Sequence, residues 1–147
     1  MSETREVTIL LVEDDPGHAR LIEKNLRRSN LANDIITASD GRQALDYLFG
    51  EGEYAGGEYP PPLLVLLDLN LPVLDGYQVL ERMKTDERTK HIPVIVLTTT
   101  DDAREVSRCY DLGCSVYVTK PVEYEQFSEA IRQLGLFLSV VTVPDGG

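Results

Sequence analysis

"LLVLLDLNLP" occupies residues 63–72. Leu63 to Leu67 are apolar without a break, and Asp68 follows at once. A short apolar run of this kind reads as a strand buried on both faces. A carboxylate has no place inside such a core, so the charge at the strand's end is expected where a site would lie.

Working outward, the same alternation recurs. "VTILLV" (7–12), "PVIVL" (93–97) and "SVYVT" (115–119) read as further strands, and "NDIITA" (33–38) as a weaker, more polar one. Helical spacing intervenes each time: Ala19, Ile22 and Leu26; Ala44, Leu45 and Leu48; Val79, Leu80 and Met83; Val106 and Tyr110. The last stripe is the cleanest, with Phe127, Ile131, Leu134 and Leu138 at i, i+4, i+7 and i+11. Strands alternating with helices imply right-handed crossovers and a parallel sheet. The expected class is α/β: a flavodoxin-like, doubly wound (βα)5 sheet of order 2-1-3-4-5.

The 147 residues are expected to form a single domain, with its core at about 7–138 and no effector domain. Two segments exceed the minimal pattern. "GEGEYAGGEYPPP" (50–62) is rich in Gly and Pro and must be a loop, long for this connection. The end, "LGLFLSVVTVPDGG" (134–147), makes an apolar extension over 135–147. It fits a contact with a partner or a tail folded back on its own sheet.

The chain is 42% hydrophobic and 27% charged, as ordinary globular proteins are. Its net charge of −11 argues against nucleic acid or anionic lipid as a partner. The N-terminus turns acidic at once, which argues against a signal peptide, and no apolar run approaches a membrane span. The cytoplasm is the expected compartment. Cys109 and Cys114 read as reduced, mostly buried thiols, with a metal site or disulfide as the other reading.

In an open parallel sheet, ligands bind outside the carboxyl ends of the strands. The first strand is followed by Glu13-Asp14-Asp15, the third by Asp68-Leu69-Asn70, the fourth by Thr98-Thr99-Thr100 and the fifth by Lys120-Pro121. In this topology those groups converge. Clustered carboxylates favour a hard dication with oxygen ligands, such as Mg2+. One of them can then act as a nucleophile toward phosphorus. The transferred group needs positive charge and a hydroxyl donor, and Lys120 and Thr98 are of those types. Taken singly each feature is ordinary: Asp14 and Asp15 could cap the first helix, and Thr98 or Thr100 the fourth. Four such groups at one edge of one sheet are far more specific.

"LLVEDD", "LLDLNLPVLDGYQVL", "IPVIVLTTT" and "YVTKP" resemble the receiver domain of bacterial response regulators, from about Val7 to Leu134. The 50–62 loop is an insertion relative to typical members. The resemblance implies a signalling switch that catalyses its own phosphorylation and dephosphorylation, not a turnover enzyme. Asp68 would accept the phosphoryl group. Glu13, Asp14, Asp68 and the backbone carbonyl of Asn70 would hold Mg2+, with Mn2+ able to substitute. Thr98 and Lys120 would bind the phosphoryl group, with Tyr117 as the aromatic switch behind Thr98. Asn70 and Thr100 would tune dephosphorylation, and the bond before Pro121 is usually cis in this family. The loop, "LDLNLP", "IPVIVLTT" and the "VTVP" tail further resemble stand-alone regulators of cyanobacterial phytochrome histidine kinases. That implies such a sensor kinase as phosphodonor, and a homodimer.

Three rivals remain at this stage. A haloacid-dehalogenase phosphatase also uses Asp and magnesium, but its DxD motif follows the first strand. A flavin module needs a hydroxyl- and Gly-rich phosphate loop where this chain has "EDDPGHAR" (13–20). A degenerate receiver would signal by binding alone.

Overall fold

The computed structural model describes residues 4–5, 8–28, 34–57, 61–99, 102–120, 125, 129 and 143–144. Their elements, in chain order, are β1 (Thr4–Arg5), β2 (Thr8–Val12), α1 (Pro16–Arg28), β3 (Asp34–Ala38), α2 (Gly41–Phe49), β4 (Leu64–Asp68), α3 (Gly76–Thr85), β5 (Val94–Thr98), α4 (Ala103–Leu112), β6 (Val116–Thr119) and β7 (Val143–Pro144). Strands β2 to β6 form one parallel sheet in the order β3-β2-β4-β5-β6, which is the expected 2-1-3-4-5 counted over these five. None of the helices among the described residues is long and apolar enough to cross a membrane.

The burial of each strand follows its place in the sheet. Every residue of the central β2, β4 and β5 is buried, whereas the edge strands β3 and β6 are partly open. Side chains alternate between the two faces. Leu10, Val12, Val65, Leu67, Val94 and Val96 pack with Ala44, Val79, Leu80, Met83 and Cys109 of α2, α3 and α4. Ile9, Leu11, Leu64, Leu66, Ile95, Leu97, Val116 and Val118 pack with Ile22 and Leu26 of α1.

Local chemistry sets the helix ends. Asp40 caps α2 by accepting from the Gln43 N–H at 2.7 Å. Asp75 and Gln78 form a reciprocal capping box on α3, at 2.9 and 3.0 Å. Asp102, not Thr98, caps α4, accepting from the Arg104 N–H at 2.8 Å. Gly113 ends α4 in the left-handed region, φ 107°. Gly76 starts α3 so close to the sheet that a Cβ there would sit 2.4 Å from the Asp68 carbonyl oxygen.

Several details depart from expectation. On α4 the buried residue is Cys109, while Val106 is half-buried and Tyr110 exposed, so the inward stripe lies one position away from the spacing used. The 50–62 segment is not wholly irregular: Gly52–Tyr54 form a 3-10 turn, and the Tyr54 ring meets Tyr47 edge-on, centroids 5.2 Å apart. The guanidiniums of Arg82 and Arg88 lie 4.4 and 4.7 Å from the Phe49 ring centre, covering the adjoining end of α2. Within the tail, Val143–Pro144 pair antiparallel with Thr4–Arg5 in a separate two-stranded ribbon, so this part does not join the five-stranded sheet. The remainder of the tail and the Phe127–Leu138 stripe lie outside the described residues, although Glu125 and Glu129 are helical. Both cysteines are free and buried. Burial, with Cys109 beside it, pushes the Cys114 thiol up to about 12.

Candidate functional site

Glu13 is the first residue after β2, Asp68 the last of β4, and Lys120 the first after β6. By alternation they continue the rows Ile9/Leu11, Leu64/Leu66 and Val116/Val118, which face α1. The three side chains meet there. The Lys120 ammonium donates to Glu13 Oε1, and to Asp68 Oδ2 at 3.0 Å. All three are withdrawn from solvent, the Glu13, Asp68 and Lys120 side chains being 1%, 5% and 7% exposed. The remaining carboxylate oxygens accept from backbone: Asp15 N–H to Glu13 Oε2 and Asn70 N–H to Asp68 Oδ1, each at 3.1 Å.

Asp14 is exposed beside them, and one carboxylate oxygen from each of Glu13, Asp14 and Asp68 lies within 4.8 Å of the others. With Lys120 they line an open cleft, joined by Asp15, His18, Asn70 and Thr99. Burial raises the Glu13 carboxyl; the Asp68 carboxyl adds to this, and Lys120 and the Asp15 N–H oppose it. Burial alone would lower the Lys120 ammonium, but hydrogen bonds and charge from Glu13 and Asp68 outweigh it and raise it. One ammonium against four carboxylates, Asp15 included, leaves the cleft net negative. A hard, oxygen-rich donor set of this kind fits a divalent cation.

Asp15 caps α1, accepting from the N–H groups of Gly17 and His18 at 2.8 and 3.1 Å. The His18 N–H is the chief cause of its lowered pKa. Thr98 is fully buried at the end of β5, and its carbonyl accepts from the Lys120 N–H at 2.6 Å. It is Thr99, not Thr98, that lines the cleft. Tyr117 is half-buried against the α2–α4 core, paired in register with Val96. It therefore shares a sheet face with Thr98, on the neighbouring strand. Thr100 and Pro121 lie outside the described residues.

Sequence reasoning missed His18. Its Nδ1 lies 3.2 Å from the Lys120 ammonium and 3.8 Å from Glu13 Oε1. The available signal was its position three residues past Asp15, on the first turn of a capped helix beginning at the site edge.

The Asp68 loop carries local strain. The Leu74 N–H donates to the Pro72 carbonyl at 2.8 Å, closing a three-residue γ-turn around Val73 at φ 69°. The Val73 side chain is 75% exposed.

Comparison with known proteins agrees with this architecture. The model of the response regulator receiver domain matches residues 9–132. Response regulator Rcp1 of Synechocystis is 38% identical over 137 residues, 92% of each chain. The solved bacteriophytochrome response regulator RtBRR is 43% identical at TM-score 0.83, covering 90% of this chain and 80% of its own. The phosphorylated cyanobacterial phytochrome response regulator RcpA is 38% identical at TM-score 0.78, over 92% of this chain and 96% of its own. On this sheet order, this cleft and these matches, the chain belongs to the response regulator receiver domain family.

Proposed function

We propose that this protein takes a phosphoryl group from a phosphohistidine of a sensor histidine kinase onto Asp68 and thereby switches a protein-binding surface. The observation that carries the reading is the Lys120–Asp68–Glu13 cluster with Asp14 beside it, at the carboxyl edge of the sheet. Asp68 attacks phosphorus in line; the phosphorus–nitrogen bond breaks, and its electron pair stays with the departing imidazole. The Lys120 ammonium, already on Asp68, neutralises charge on the transferred oxygens. Glu13, Asp14, Asp68 and the Asn70 carbonyl would hold Mg2+, or Mn2+ in its place, which supplies the further positive charge phosphoryl transfer requires. A solved form of the relative Rcp1 is described as Mn2+-bound.

Thr98 then hydrogen-bonds the phosphoryl group, and Tyr117 turns behind it on the shared face. Asn70 and Thr100 set how fast water hydrolyses the acyl phosphate. The domain acts once per signal and is not a turnover enzyme. The named relatives favour a phytochrome as the kinase. Output is a binding event, and a homodimer is the assembly proposed for it.

Intact-mass spectrometry after incubation with acetyl phosphate and Mg2+ tests the reading. A single phosphoryl adduct is expected in the wild type and none in folded Asp68→Asn. An adduct on folded Asp68→Asn at the wild-type rate would refute the assignment.

A further inference from the structure

An ammonium has three N–H bonds and no acceptor. Lys120 directs one to Glu13 Oε1 and one to Asp68 Oδ2, and His18 Nδ1 stands 3.2 Å away on the third side. Because Lys120 can only donate, a hydrogen bond between the two requires His18 Nδ1 to accept. The neutral ring therefore carries its proton on Nε2, a tautomer assigned from its partner.

We propose that His18 is a positioning residue for phosphoryl transfer: its imidazole Nδ1 takes the third N–H of Lys120 and fixes the ammonium over Asp68. The proposal rests on the reading of Asp68 as acceptor. Two further observations support it. His18 is placed independently of Lys120, on the first turn of α1, by the Asp15 cap. It also lines the same cleft as Asp68, so the contact lies at the reacting edge.

The chemistry of the third partner matters. A carboxylate here would add negative charge beside Glu13, Asp14 and Asp68, and would compete with the phosphoryl oxygens for the ammonium. An alkyl side chain would leave the third N–H to mobile water and the ammonium free to turn. A neutral acceptor orients the ammonium and still yields it to the incoming charge. Ordering the cation beforehand removes that cost from the barrier.

The test uses His18→Ala and His18→Gln, each alone and combined with Lys120→Met, in the full chain. Long-range 15N–1H spectra at pH 8 should show His18 with Nδ1 bare and Nε2 protonated. His18→Ala should phosphorylate from acetyl phosphate roughly fivefold more slowly, the worth of one ordinary hydrogen bond. Its melting temperature should be unchanged. The amide oxygen of His18→Gln can accept, and that variant should recover most of the rate. In Lys120→Met, His18→Ala should cost nothing further. A proton on Nδ1, an undiminished rate in His18→Ala, or the same fold loss in both backgrounds would overturn the proposal. A wild type that takes up no phosphoryl group would instead overturn the Asp68 assignment, and the tautomer would still decide whether His18 accepts from Lys120.

Discussion

Replacing Lys120 by methionine keeps the length and apolar stem of the side chain and removes the ammonium. Glu13 and Asp68 would then face each other at 1% and 5% side-chain exposure with no cation between them. Removing one partner of a buried ion pair costs ~3–5 kcal/mol. The cleft opens beside exposed Asp14, so water partly solvates the stranded carboxylates, and about 3 kcal/mol is expected at pH 8. The pH dependence follows from Glu13, whose pKa is already raised, first by burial. A raised carboxyl favours the fold fully below its unfolded value, and that contribution is lost as pH rises through the folded value. Without Lys120 the folded value climbs further, so the deficit is largest at pH 8 and shrinks toward pH 5 as Glu13 takes up its proton. Urea unfolding in EDTA at both pH values measures this. With a slope near 2 kcal/mol per M, the midpoint should fall by about 1.5 M at pH 8. A Lys120→Met protein within about 0.5 kcal/mol of wild type at pH 8 would show that water already solvates these carboxylates and refute the reasoning.

Three other outcomes are expected. Val73→Gly should gain about 1 kcal/mol in urea unfolding, since the left-handed backbone costs a side-chain-bearing residue ~1–2 kcal/mol, partly offset by the entropy of glycine. Gly76→Ala should lose more than about 3 kcal/mol and slow phosphorylation, because its Cβ would press on the Asp68 carbonyl; unfolding curves and the acetyl phosphate reaction read the two effects. The Tyr77 hydroxyl is buried and meets no well-formed hydrogen-bond partner among the described residues, and burial, with Cys109 and Glu105 nearby, pushes it up to about 12. Its contribution is intact below about 10 and is lost as pH rises toward about 12, so Tyr77→Phe should flatten the alkaline fall in melting temperature without lowering stability at pH 7.

The sheet and its edge were legible because two simple periods coincide there. Unbroken apolar runs such as Leu63–Leu67 announce strands buried on both faces, and the charges at Glu13 and Asp68, where two of the runs end, locate the carboxyl edge. The strand order also put Glu13, Asp68 and Lys120 at one edge of the sheet before any contact was known. What stayed hidden depends on neighbours distant in sequence. The reach of His18 to Lys120 spans 102 positions and joins the first turn of α1 to the residue that follows β6. The inward face of α4 was misjudged because Cys109 breaks no pattern, whereas Tyr110 is large and apolar enough to suggest burial yet stands in solvent. The γ-turn at Val73 defies propensity altogether, as a β-branched residue gives no hint of a positive φ.

The ribbon of Thr4–Arg5 with Val143–Pro144 gives the molecule a mechanical property that the five-stranded sheet lacks. Its two strands run antiparallel, with Thr4 opposite Pro144 and Arg5 opposite Val143. The backbone is in effect a ring with one gap, bridged by a few hydrogen bonds. Tension applied between the two ends opens this clasp rung by rung, as a zipper opens, before any load reaches the strands that carry Asp68.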